Sequence, residues 1–317
     1  MSKRKMLGIR CKGLVVSFIF IILHLTLYTF HGFCAGAGSS TGMGLLLEQM
    51  ACARAGGMAQ AVSAIEQDIN LVRYNPAGLA TIDKKEIGFA YLLGFGDMSF
   101  VTGSYGQPLL GGVIAGSLSY FNAGNIVLSY ADGTDHTFNA QSDIVATVSY
   151  ARELLKDLPV GVNVKFLSST LLGQFTGTSI ACDVGTIYRT PIKNLKAGVS
   201  IQNIGTRIKY YQTEENIPMN LRAGASYSLN VSQGMGLLAA VEFNYLINDV
   251  KLITSIGGEL KYGEVLTIRG GYIIGTVQGL TLGAGFNINN YVIDYAFELA
   301  PDVASFGNHR IGFRMGL

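Results

Sequence analysis

The 317-residue chain has no tryptophan, six prolines, four cysteines and only 14% charged residues. Each shortage excludes something. So little charge, set against 49% apolar residues, rules out a disordered chain. Four cysteines, at positions 11, 34, 52 and 182, make neither a disulfide scaffold nor a zinc site. No metal and no cofactor is expected. Beyond about residue 85 the sequence also lacks a long amphipathic helix and an apolar run long enough to cross a membrane as one. What it has instead is glycine, 41 residues without a G-X-Y period, with 16 tyrosines and 16 phenylalanines. That balance suits a sheet with many tight turns and small inward positions, and weighs against an ordinary soluble α/β enzyme.

The first residues have the character of an address. Lys3, Arg4, Lys5, Arg10 and Lys12 precede an apolar stretch from Leu14 to Phe30, and Ala35-Gly36-Ala37 follows as an A-x-A site. This order of regions predicts a secretory signal peptide over 1–37. A retained transmembrane helix is the alternative, though the run lies near the lower length limit. Removing the leader takes away five of 23 basic residues, so 18 face 21 acidic ones, a net charge of −3. Nothing there attracts nucleic acid. Only Cys52 and Cys182 remain, and no disulfide is expected.

Segments of period two, separated by turn residues, fill the rest of the chain. Fourteen can be drawn. The first seven are 85–95, 98–107, 111–131, 136–152, 159–171, 176–189 and 195–205. The others are 219–230, 235–247, 251–262, 264–275, 278–288, 291–299 and 308–317. Asp132-Gly133 is a hairpin signal between the third and fourth, and Asn289-Asn290 separates the twelfth from the thirteenth. In 291–299, Tyr291, Ile293, Tyr295, Phe297 and Leu299 share one face while Asp294 and Glu298 share the other. Asp183, Arg222, Glu242, Glu259, Arg269, Arg310 and Arg314 obey the same rule on their own segments. Lys85 and Arg152 break it only at strand ends.

A soluble sandwich would alternate too, with its apolar side inward. Export, strands of ten or more residues and an even strand number favour the inverse. The expected fold is therefore all-β: a single transmembrane antiparallel barrel of about 14 strands over 85–317, with lipid outside and a polar lumen. Lipid demands closure, because an unpaired edge cannot be hydrated there. The two longest connections, 206–218 and 300–307, fall on the same side, which places both termini in the periplasm.

Ahead of the barrel, 38–84 is rich in alanine and glycine, with Leu46, Met50, Ala53, Gly57 and Ala61 spaced as on a small-faced helix. It is too short for a domain and is expected to be a partly helical plug inside the barrel. Pro76 fixes its own backbone and biases Asn75 away from helix. Asn75 can then hold a turn that anchors the plug; a ligand gate is the alternative.

Here the residues carry a resemblance. Ala53-Arg54-Ala55-Gly56-Gly57-Met58-Ala59-Gln60-Ala61, then Tyr74-Asn75-Pro76-Ala77-Gly78-Leu79-Ala80, resembles the N-terminal signature of the PorV/PorQ family. That family lies within the superfamily of the fatty acid transporter FadL. Further landmarks follow in family order: Ser149-Tyr150-Ala151, Gly161 to Lys165, Asp183 to Tyr188, Gln202-Asn203-Ile204-Gly205, Arg269 to Tyr272, Asp294 to Phe297 and His309-Arg310-Ile311. The resemblance implies a fourteen-stranded outer-membrane barrel whose N-terminal hatch includes Arg54, Gly57, Asn75, Pro76, Ala77 and Gly78.

For function it implies a part in type IX secretion, delivering or holding exported proteins at the cell surface. The contact candidates would be Tyr210, Tyr211, Glu214 and Glu215 in 206–218, because exposed tyrosine pairs suit protein contacts. The superfamily implies another reading, hatch-gated uptake of fatty acids or other hydrophobic molecules. The short loops leave little material for a capturing pocket. Catalysis is not expected: the mature chain has two histidines, His136 and His309, and neither adjoins a nucleophile motif. The lumen charges are of mixed sign, without the one-sign cluster of a selectivity filter. The expected partners are outer-membrane lipid, exported cargo or other secretion components, and a hydrophobic small molecule.

Overall fold

The computed structural model describes residues 47, 52–94, 97–212, 214–232, 234–275, 278–299 and 308–317. The expected signal peptide, Leu46, Met50 and the connection 300–307 lie outside the described residues.

The chain folds as a run of antiparallel hairpins. In order the strands are β1 (Glu86–Leu93), β2 (Ser99–Leu109), β3 (Gly112–Asn122), β4 (Asn125–Ser129), β5 (Asp135–Asn139) and β6 (Gln141–Leu155). Then come β7 (Leu158–Leu171), β8 (Phe175–Arg189), β9 (Leu195–Gly205), β10 (Ile208–Lys209), β11 (Glu214–Glu215) and β12 (Asn220–Ser232). The last six are β13 (Met235–Leu246), β14 (Lys251–Tyr262), β15 (Leu266–Ile274), β16 (Gly279–Ile288), β17 (Tyr291–Leu299) and β18 (Asn308–Gly316). Fourteen of them close into one barrel, with β1 pairing both β2 and β18. The expected all-β barrel is what forms.

Alternation sets the facing. Along β17, Tyr291, Ile293, Tyr295 and Leu299 are exposed, while Asp294 and Ala296 are buried. The outward row elsewhere is apolar, with Leu118, Val148, Val164 and Ile180 each about 60% exposed: 60%, 61%, 59% and 58%. Exposed aliphatic rows around a closed wall, with charges buried inside it, are the inverse of a soluble sandwich and fit a lipid-facing exterior. Among the described residues no helix is long and apolar enough to cross a membrane.

Two expected strands are broken. Segments 111–131 and 136–152 keep a single register, Asn122↔Ser142 in the wall and Asn125↔Asn139 beyond it. Gly124, with φ of 85°, bends the pair, so β4 and β5 form a separate ribbon outside the wall. The glycine permits a left-handed turn that a side chain would resist.

The segment before the barrel is a hatch inside it. Its helix is one short turn, α1 (Ala53–Gly57), and Leu47 is also helical. Ala61 is not on that helix as its spacing suggested. Ala59 and Gln60 both take positive φ and turn the chain away. The turn is held by Gln60 N–H donating to Ala55 O at 2.8 Å and Ala59 N–H donating to Thr281 Oγ1 at 3.1 Å. Two 3-10 turns follow, at Ile69–Leu71 and Pro76–Thr81. Asp68 caps the first by accepting from Asn70 N–H, and Asn75 caps the second by accepting from Ala77 N–H.

Candidate functional site: a hatch and a cap fill the lumen

The hatch is fixed to the wall by largely buried ion pairs. Arg54 makes a bidentate pair with Glu259 of β14, at 3.0 and 3.1 Å, and donates to Asp68 at 3.1 Å. Glu259 also accepts from Arg269 of β15 at 2.8 Å, and Arg269 reaches Asp294 of β17 at 2.6 Å. Arg314 of β18 approaches Asp68 at 3.8 Å. One hatch arginine thus joins four strands and the hatch's own carboxylate. A fork-shaped guanidinium suits this better than a lysine would.

A second node lies on the neighbouring strands. Glu242 of β13 accepts from Arg222 of β12 at 2.8 Å, and from both the amide and the hydroxyl of Ser63 in the hatch. Arg222 also donates to Gln60 O and lies over the Tyr74 ring, 5.0 Å from its centroid. On the third side Lys165 pairs with Asp183 at 2.7 Å, and Asn163 donates to Asp183 and to hatch Val72 O. Arg310 pairs with Glu298 at 2.7 Å. Each of these lumen charges has an opposite partner, which accounts for the mixed signs; Asp143, also expected inward, is buried and accepts from Gln141 instead.

Near the end of the barrel where β1 begins and β18 ends, Glu66 meets Arg189 at 2.7 Å and Lys196. Burial pushes the Glu66 carboxyl up, but the bonds from Arg189 and Lys196 outweigh it and hold the pKa below the usual value. At Asp68, burial again pushes up, and Arg314 and Arg54 together bring the pKa below normal. Glu66, Asp68 and Ser63 carry no motif in the sequence. The available signal was two carboxylates and a serine within an otherwise small and apolar stretch.

The glycines of the landmarks make room for the hatch backbone. A Cβ at Gly185 would stand 2.1 Å from Asn75 Oδ1, and one at Gly161 2.4 Å from the Pro76 carbonyl carbon. Asn75 uses its amide fully. Its Nδ2 donates to Ser63 O at 2.7 Å and to Thr186 O of β8 at 3.1 Å, and its Oδ1 accepts from Ala77. Pro76, Ala77 and Gly78 are buried beside it, and Gly57 lies against Gly283 of β16. In Gln202-Asn203, Asn203 has φ of 60° and the β8–β9 register shifts. Both side chains thereby turn inward. Gln202 donates to Arg73 O and Tyr74 O, and Asn203 donates to Pro218 O at 2.7 Å.

The opposite end of the lumen departs from expectation by carrying an apolar belt. Leu92, Phe100, Phe121, Val145, Leu167 and Ala181 point inward and pack with Leu47, Ile208 and Ile217, while Gln141, Asp143, Ser169 and Ser179 on the same strands are buried beside them. Ile208 and Ile217 thus bring the connection between β9 and β12 into the barrel mouth as a cap over the belt. Tyr210 turns inward with it: its hydroxyl donates to Ser169 Oγ at 2.9 Å, and burial pushes its pKa up to about 12. Tyr211 remains 71% exposed, its ring edge-on to Phe175. Glu214 is exposed and Glu215 half-buried. Of the four expected surface contacts, Tyr211 and Glu214 are the ones fully outside.

Between hatch and apolar cluster the described residues leave about 10 Å³, bounded by Cys52, Tyr74, Phe100 and neighbours. That is room for one water. At the terminal end a cleft of about 280 Å³ opens onto Arg54, Glu259, Arg269 and Arg314. Solvent therefore reaches the edge of the main latch from that end. Cys52 is buried in the hatch and Cys182 sits half-buried on β8, both as free thiols.

A closed antiparallel barrel with an apolar exterior, an inward hatch and a salt-bridged lumen defines a β-barrel protein of the outer membrane. The toluene transporter TodX of P. putida has this fold, with a TM-score of 0.63 at 13% identity over 85% of this chain and 98% of that one. The toluene transporter TbuX of Ralstonia pickettii gives 0.59 at 14% identity, over 84% and 98%. A FadL homologue of Pseudomonas aeruginosa gives 0.56 at 12%, over 84% and 96%. At such identities the likeness is one of fold. No curated protein matches the sequence. The family described as "Type IX secretion system protein PorV" matches residues 39–252, and the chain belongs to that family.

Proposed function

We propose that this protein is a non-enzymatic outer-membrane component of type IX secretion that receives exported proteins and holds them at the cell surface. The observation that carries this reading is the lumen closed twice, by a latched hatch and by an inward-folded cap. Such a barrel works through the surface it presents rather than through an open pore. Family membership supports the same reading. The leader directs export, both termini face the periplasm, and the cap end faces outward.

A second reading rests on one specific observation, the apolar cluster beneath the cap. If the cap withdrew, Leu92, Phe100, Phe121, Val145 and Leu167 would offer a greasy chamber to a hydrophobic molecule. Purification from the native membrane in mild detergent, followed by mass spectrometry, tests both. Exported proteins sharing a C-terminal domain are expected with the barrel. Bound fatty acids or hydrocarbons without any protein partner would overturn the secretion reading.

A further inference from the structure

The ribbon β4–β5 is the one part of the described chain that leaves the barrel with an apolar face uncovered. Ile126 pairs with Phe138 and Leu128 with His136, so these four share a face with Tyr130. Tyr130 meets His136 edge-on at 5.2 Å, and His136 stacks on Phe138 at 6.2 Å. The other face carries Asn125, Ser129, Asp135, Thr137 and Asn139, with Val127 its single aliphatic. All of β4 is exposed.

Lipid does not cover this face. β3 alone supplies 11 residues, what a tilted strand needs to cross the bilayer. Polar Asn122 and Ser142 then close the wall at the junction. A two-stranded ribbon is marginal in water on its own, and an apolar patch rimmed by polar groups marks a protein contact. The ribbon pairs with no third strand among the described residues, so its edges can accept one. Its charges are also of one sign: between 122 and 142 stand Asp132 and Asp135, both at the ribbon's tip, with no lysine or arginine.

We propose that the Ile126–Leu128–Tyr130–His136–Phe138 face docks an extended apolar strand of another protein, with lysine or arginine flanking that strand opposite Asp132 and Asp135. That this partner is an exported protein rests on the secretion reading; the docking face does not.

The test is site-specific photo-cross-linking of the full chain in its native cell, with a benzophenone amino acid at position 128 or, for the opposite face, at 127. Position 128 should give a protein adduct whose cross-linked peptide is apolar with basic residues at one end, and position 127 should give far less. The pair Asp132→Lys and Asp135→Lys should lower the adduct about tenfold, as loss of a complementary rim charge does, while heat-modifiable migration on gels stays intact. Equal yields at 127 and 128, adducts only with lipid or a second copy of this chain, or no adduct would overturn the docking. An adduct with a protein that is not exported would leave the docking standing and remove the secretion reading. Exported proteins bound elsewhere, with none at 128, would do the reverse.

Discussion

Replacing Arg54 by methionine should free the hatch while leaving the barrel closed. The side-chain stem keeps its packing, but Glu259 and Asp68, each almost fully enclosed, lose the partner that bonded them at 3.0 to 3.1 Å. Glu259 retains Arg269, whereas Asp68 retains Arg314 only at 3.8 Å. Removing one member of a buried pair costs about 3–5 kcal/mol. If that cost falls on hatch docking, the opening equilibrium shifts by about two to three and a half decades. Amide exchange reads it directly. Protection at Gln60 and Tyr74, whose amides bond within the hatch, should fall by that amount, while amides paired across β6–β7 should not change. Adding Asp68→Asn should recover part of the loss, since it removes the carboxylate left with Arg314 only at 3.8 Å. Unchanged hatch protection in Arg54→Met, or hatch and barrel opening in step, would refute the latch.

Three further expectations follow from the same geometry. Gly185→Ala places a Cβ 2.1 Å from Asn75 Oδ1, so the hatch should be displaced and become sensitive to added protease; full resistance would show that the contact yields. Ile293→Arg puts a charge on a lipid-facing residue and should cost about 2–4 kcal/mol near the bilayer midplane. The heat-modifiable fraction on gels should drop, and an unchanged fraction would contradict the facing. Asp68 and Glu66 have pKa values held below normal in the folded hatch, so their contribution is complete at neutral pH. It is lost as pH falls below the ordinary carboxylate value of about 4. A spin label at Thr81 should therefore grow more mobile on acidification; mobility that rises only toward alkaline pH would contradict the sign.

Much of this was legible in the chain because lipid leaves little freedom. The rows Tyr291–Ile293–Tyr295 and Asp294–Glu298 state their own facing, since period two and a closed wall allow one arrangement. The pairing of lumen charges was not legible. Arg54 and Glu259 are 205 residues apart, and nothing local joins them. Leu92, Phe100 and Phe121 are apolar on the inward row of strands whose outward row is apolar too, so alternation fell silent at the belt beneath the cap. Tyr210 looked like its neighbour Tyr211 until the cap turned one in and left the other out. Gly124 sits in Asn122-Ala123-Gly124-Asn125, inside a segment read as one strand, and its backbone angle shows that the strand bends there.

A barrel that holds exported proteins at the surface and one that conducts small molecules differ in what their loss does to the cell. Deleting the gene in the native cell and comparing the surface and periplasmic proteomes with those of the parent separates the two. Exported proteins with a shared C-terminal domain should leave the surface and accumulate in the periplasm, and the intact chain should restore them. An unchanged surface proteome, together with lost growth or uptake on a hydrophobic compound, would contradict the secretion reading.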